Sequence, residues 1–137
     1  MMAGEKLLIV DDEKNMRVLL KDFFEEEGYQ VQMAEDGPEA LEKIDETFAI
    51  VISDNRMPLM EGMDLLKNLK QQFPEMPVII ITAYSTPKLA VEAYKLGAAS
   101  YVTKPFNPEE LLQKVKEILR EQRMTHRHSE GEHSPEA

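Results

Sequence analysis

The chain has 137 residues, 42% of them hydrophobic and 31% charged, which suits one globular domain with a sizeable core. Its formal net charge of -10 leaves no basic face to grip phosphates, so direct nucleic-acid binding by this chain is not expected. With no cysteine there is no disulfide, thiolate metal site or cysteine nucleophile, and no apolar run approaches the roughly 20 residues of a membrane span.

The N-terminal residues lack the apolar core of a signal peptide, so a cytoplasmic protein with no membrane attachment is expected. Lys6 to Val10 then reads as a short apolar strand that runs into Asp11, Asp12 and Glu13. From Met16 the pattern turns helical, with Met16, Leu19, Leu20, Phe23 and Phe24 on one stripe and Gly28 as the stop. Gln30 to Ala34 alternates as a second strand. Asp36-Gly37-Pro38 turns the chain, and Pro38 is expected at the first position of a second helix.

Ala49 to Pro58 organises everything else. Its apolar run, Ile50-Val51-Ile52, suits a central parallel strand buried on both faces. The run ends in Asp54, and acids at the carboxyl ends of such strands sit where open α/β sheets keep their ligand sites. Asp54 as a plain turn residue is the competing reading. Gly62 to Phe73 returns to helix period with Met63, Leu66, Leu69 and Phe73 inward. Pro77 to Thr82 is the most apolar strand and ends in a hydroxyl. Ser85-Thr86-Pro87 caps a fourth helix that Gly97 ends. Ser100 to Thr103 is a fifth strand followed by Lys104-Pro105. Asn107-Pro108-Glu109-Glu110 reads as a capping box for a last helix that buries Leu111, Leu112, Val115, Ile118 and Leu119. Residues 123–137 read as a polar, mobile C-terminal tail or linker remnant after a domain spanning 5–122.

Strands alternating with helices predict a parallel sheet covered on both faces: a flavodoxin-like, doubly wound (βα)5 domain of strand order 2-1-3-4-5. In that fold the strand ends bring Asp11 and Asp12, then Asp54, then Thr82, then Lys104 to one cleft. Three carboxylates so close repel unless they share a cation. Oxygen donors with no nearby His or Cys favour Mg²⁺, with Mn²⁺ as substitute. Each residue has a plainer explanation when taken alone: Asp12 as a helix cap, Thr82 as a strand residue, Lys104 as a solvated charge. As a set they point to phosphoryl capture. Asp54 supplies a carboxylate nucleophile, the metal and Lys104 supply positive charge, and Thr82 supplies a hydroxyl donor.

Asp11-Asp12, Asp54 with Met57-Pro58, Thr82-Ala83 and Lys104-Pro105-Phe106 together resemble the receiver domain of bacterial two-component response regulators, over about residues 5–122. The resemblance implies that Asp54 accepts a phosphoryl group from a phosphohistidine of a sensor histidine kinase or phosphotransfer protein. It implies Mg²⁺ held by Asp11, Asp12, Asp54 and the backbone carbonyl of Arg56. Thr82, the backbone N–H of Ala83 and Lys104 would hold the phosphoryl group. Thr82 and Tyr101 would be the switch pair, and the Lys104-Pro105 bond would be cis. The resemblance also implies a switch, not an enzyme with an external substrate, and a homodimer or output contact through the fourth helix, fifth strand and fifth helix. Arg56 and Tyr84 occupy the positions that tune phosphoryl lifetime in that family. A weaker resemblance, through Thr82 to Thr86 and Ala98 to Tyr101, is to receivers of the nitrogen-regulator class. For Tyr101 alone, a partly exposed edge-strand aromatic is the plainer reading.

Three other functions fit less well. A flavodoxin-like cofactor binder needs a Gly-, Ser- or Thr-rich phosphate loop after the first strand, where this chain has Asp-Asp-Glu. A haloacid-dehalogenase-type phosphatase would carry its nucleophile in an Asp-x-Asp motif on that strand. A degenerate receiver that binds partners without phosphorylation is disfavoured by the complete set of acceptor, acid and lysine residues.

Overall fold

The computed structural model describes the backbone of residues 4–136 and the side chains of residues 4–124. Strands β1 (Lys6–Val10), β2 (Gln30–Ala34), β3 (Ile50–Asp54), β4 (Val78–Thr82) and β5 (Ser100–Thr103) alternate with helices α1 (Lys14–Glu26), α2 (Gly37–Lys43), α3 (Gly62–Gln72), α4 (Pro87–Lys95) and α5 (Pro108–Glu136). All pairings are parallel, and the sheet order is β2-β1-β3-β4-β5, as the βα alternation predicts.

The two-residue period of the strands sorts their apolar side chains onto two faces. Leu8, Val10, Val51, Val78 and Ile80 pack with Leu65, Leu66, Leu69 and Ala93 from α3 and α4, and with Ala40 from α2. Leu7, Ile9, Ile50, Ile52, Ile79 and Ile81 pack with Leu20 and Phe24 from α1 and Leu111, Leu112 and Val115 from α5. The three central strands are therefore apolar on both sides, and their run of β-branched residues is the sequence form of that double burial.

Local signals set most of the ends. Gly28 and Gly97 take φ of +99° and +103° just after α1 and α4, a conformation that costs glycine little. Thr86 caps α4 by accepting from the Leu89 N–H at 3.1 Å. Three expectations need adjustment. Asp36 caps α2 by accepting from Glu39 N, which makes Gly37 the first helical residue and places Pro38 second. At α5 the Asn107 side chain accepts from Glu109 N at 2.9 Å, one residue earlier than a capping box requires. Finally, the α5 backbone continues to Glu136 through the stretch read as a polar tail. Ala137 and the tail's side chains from Thr125 onward lie outside the described residues.

Candidate functional site

Parallel strands deliver all their carboxyl ends to one edge, and the register decides which ends meet. Val10 lies opposite Ser53, so the next residues, Asp11 and Asp54, are neighbours. Asp54 lies opposite Ile81, and Thr82 opposite Thr103. Lys104 N–H donates to the Thr82 carbonyl at 2.8 Å, which starts the loop after β5 back across the sheet edge. The Lys104-Pro105 bond is cis, as expected.

The side chains converge accordingly. Lys104 Nζ lies 3.2 Å from Asp54 Oδ1 and 3.3 Å from Asp11 Oδ2, so the lysine bridges two carboxylates rather than one. Asp11 and Asp54 are buried and Asp12 is exposed, yet one carboxylate oxygen from each of the three lies within 4.8 Å of the others. Asp12 is not the cap of α1, which falls to Glu13 and carries no side-chain capping bond. Asp11 instead closes an Asx-turn, its Oδ1 accepting from Glu13 N at 2.9 Å.

Burial pushes the Asp54 carboxyl up to about 6, the Asp11 charge adds to the rise, and the Lys104 ammonium only partly offsets it. Burial alone would pull Lys104 down, but Asp11 and Asp54 more than reverse this and hold its ammonium above the usual lysine value. The cluster is thus electrostatically short of positive charge, although it already contains a lysine. A small hard cation among these oxygens supplies what is lacking, so the residues fit a divalent metal of the magnesium type.

Thr82 is fully buried, and its Oγ1 accepts the Tyr84 N–H at 3.0 Å, which leaves the hydroxyl hydrogen free to donate. Ala83 is exposed at the same edge. Tyr101 is half-buried against the core face covered by α2, α3 and α4, and its hydroxyl meets Ser85 Oγ at 3.1 Å. Arg56 is exposed, with its guanidinium 4.3 Å from the centre of the Tyr84 ring, so the loop after β3 and the end of β4 share one rim.

The structure adds residues that sequence reasoning passed over. Arg17 Nη1 donates to the Asp11 carbonyl at 2.7 Å and fixes the turn that carries the first two acids. Asn55 is buried, and its Oδ1 accepts from Met63 N at 3.0 Å while its carbonyl accepts from Gly62 N at 2.8 Å. The residue after Asp54 therefore caps a helix that begins seven residues later. Cap signals are read within a turn of the helix, so nothing local could have revealed it. Asn55→Ala is expected to cost about 1 to 2 kcal/mol in urea unfolding, because it leaves the Met63 N–H without its acceptor inside the protein. A cost near zero would mean that water replaces the cap.

A family model described as the response regulator receiver domain matches residues 7–116. Among curated proteins, the transcriptional regulatory protein CpxR of Escherichia coli (strain K12) is 40% identical over 115 residues, covering 84% of this chain and 49% of that protein. The sporulation initiation phosphotransferase F of Bacillus subtilis (strain 168) is 39% identical over 119 residues, covering 86% of this chain and 96% of that protein. The chain spans about half the length of several curated relatives it matches, CpxR included. Among solved structures, a CheY-like response regulator receiver domain protein from Methanospirillum hungatei JF-1 superposes with a TM-score of 0.85 at 36% identity, covering 89% of this chain and 98% of that one.

Proposed function

The chain belongs to the response regulator receiver family, and from that premise we propose that Asp54 is the phosphoacceptor of a signalling switch. One observation carries the assignment. Asp54 is a buried carboxylate at a strand end, flanked by two further acids, in a cluster where one lysine faces three carboxylates.

The phosphoryl donor is a phosphohistidine of a sensor histidine kinase or phosphotransfer protein. An Asp54 carboxylate oxygen attacks the phosphorus, the phosphorus–nitrogen bond breaks, and the imidazole leaves with the electron pair. Mg²⁺, or Mn²⁺ in its place, would be held by Asp11, Asp12, Asp54 and the Arg56 carbonyl. When bound, the metal supplies charge neutralisation for the incoming phosphoryl oxygens. Lys104 moves from its carboxylate partners to a phosphoryl oxygen, while the Thr82 hydroxyl and the Ala83 N–H donate to others. Hydrolysis of the acyl phosphate resets the switch on the same residues. Phosphotransfer and reset are self-catalysed, and no external substrate is turned over.

Phosphorylation adds close to two negative charges and three acceptor oxygens at the cleft. Drawing the Thr82 hydroxyl toward them breaks its contact with Tyr84 N and opens space beside Tyr101. Repacking of Tyr101, now held at Ser85, would carry the change to α4, β5 and α5, where a homodimer or an output partner reads it. The net charge of -10 supports output through protein contacts and not through nucleic acid held by this chain. Among the described residues no helix is long and apolar enough to cross a membrane, and the proposed site of action is the cytoplasm.

The test is intact mass after incubation with acetyl phosphate, with Mg²⁺ and with EDTA, followed by borohydride trapping to locate the acyl phosphate. One phosphoryl group should appear only with Mg²⁺ and map to Asp54. Uptake that ignores EDTA, or that maps elsewhere, would overturn the assignment.

A further inference from the structure

Leu59 is the one non-glycine residue with positive φ among the described residues, at +73°. The Met60 N–H donates to the Pro58 carbonyl at 2.8 Å, a bond that closes over Leu59 alone. A positive φ under an i to i+2 bond is the rare, strained sense of the γ-turn. A branched side chain makes that conformation worse, and glycine would relieve it.

Packing does not explain the leucine. Its side chain is 81% exposed, whereas Met57 is buried and Met60 is half-buried against the α2–α4 face. The tight turn is what delivers the two methionines to the core, and glycine would make that turn with less strain. Strain kept by so exposed a residue points to a contact outside its own chain.

Position narrows the contact. Leu59 lies five residues beyond Asp54, in the loop that leaves the acceptor strand. The same loop holds Arg56, which stacks on Tyr84 at 4.3 Å, and Tyr84 is also largely exposed. The rim beside the acid cluster thus carries two large apolar groups. Anything that brings a phosphorus atom to Asp54 on a protein scaffold must cover this rim, and a small donor such as acetyl phosphate need not.

We propose that Leu59 is a specificity-determining anchor for the protein phosphodonor, seated in an apolar hollow beside the donor's phosphohistidine. The proposal rests on Asp54 being the phosphoacceptor. The leucine is then a trade: backbone strain in the free domain is exchanged for a pre-aimed contact in the complex, since the turn holds the side chain out before the donor arrives.

The experiment compares wild type, Leu59→Gly and Leu59→Met with two donors. The first is acetyl phosphate with Mg²⁺. The second is the autophosphorylated transmitter domain that transfers fastest to wild type within a panel of sensor histidine kinases. Leu59→Gly should melt at or above wild type and match it within twofold on acetyl phosphate. It should fall at least tenfold in kcat/KM with the transmitter, and Leu59→Met should recover most of that loss. Equal transmitter rates for wild type and Leu59→Gly would overturn the anchor alone. So would an equal fall on both donors, or lost self-association with transfer intact. If wild type itself takes nothing from acetyl phosphate, the Asp54 assignment fails and the anchor with it.

Discussion

Asp54→Asn is expected to take up no phosphoryl group and, with EDTA present, to melt higher than wild type at pH 7. The first half follows from removal of the nucleophilic oxygen. The second follows from the charge balance of the cluster. Burial first, and Asp11 second, raise the Asp54 carboxyl in the folded chain from the ordinary 3.8 to about 6. A carboxyl raised by folding binds its proton more tightly in the native state than in the unfolded one. Its contribution to stability is therefore fully present below about pH 4 and is lost as the pH rises through about 6. Metal-free wild type should weaken across that window by about 1 to 2 kcal/mol, after discounting for solvent at the cleft mouth. Asparagine does not titrate, so the advantage of Asp54→Asn should be small at pH 4 and full at pH 7. Lys104 keeps its charge throughout, because Asp11 still holds it at 3.3 Å. Mg²⁺ should raise the wild-type Tm at pH 7 and move the variant much less. Melting curves at both pH values, with EDTA and with Mg²⁺, decide the matter. A variant that melts below wild type by the same amount at every pH would show that the Asp54–Lys104 pair is a net stabiliser, and that the cluster is not short of positive charge.

The sheet and the residues that meet at its edge were legible in the sequence for a common reason. A central parallel strand must be apolar on both faces, so Ile50 to Ile52 and Val78 to Ile81 are unmistakable runs, and topology places the residues at the end of each run at the sheet edge. Asp11, Asp54, Thr82 and Lys104 could therefore be assembled from their strands alone. Contacts set by loop paths could not. The bridge from Lys104 to Asp11 as well as Asp54, the reach of Arg17 back to the Asp11 carbonyl, and the stack of Arg56 on Tyr84 depend on side-chain directions that no periodicity encodes. The last helix marks a further limit: among the described side chains its buried stripe ends at Leu119, while its backbone is helical to Glu136. Periodicity reports burial and does not by itself fix where a helix ends.

Gly62→Ala should do more damage than its size suggests, although it adds a single methyl group at the start of a helix. A Cβ on Gly62 would sit 2.5 Å from the Asp54 carbonyl oxygen and 2.9 Å from the Asn55 Cα. Both obstacles are backbone, pinned by the Gly62 N–H to Asn55 carbonyl bond at 2.8 Å and by the Asn55 N–H to Ile81 carbonyl bond at 2.9 Å. Relief requires moving α3 away from β3 or moving the Asp54 peptide itself. A Cβ on Gly37 would also be crowded, at 2.7 Å from Met60 Sδ and 2.8 Å from Met60 Cβ, and of these only the thioether end can swing aside. Gly62→Ala is accordingly expected to cost about 2 to 3 kcal/mol in urea unfolding, as overpacking against fixed atoms does. The chemistry should suffer as well. Displacing the Asp54 peptide by a fraction of an ångström shifts the carboxylate against Lys104 and Asp11, so acetyl phosphate uptake should slow roughly tenfold to a hundredfold. The two readouts separate the causes. A folded Gly62→Ala that is destabilised but phosphorylates at the wild-type rate would mean that α3 yields and β3 does not. A Gly62→Ala as stable as wild type would contradict the close packing of α3 on the acceptor strand that holds Asp54 in place.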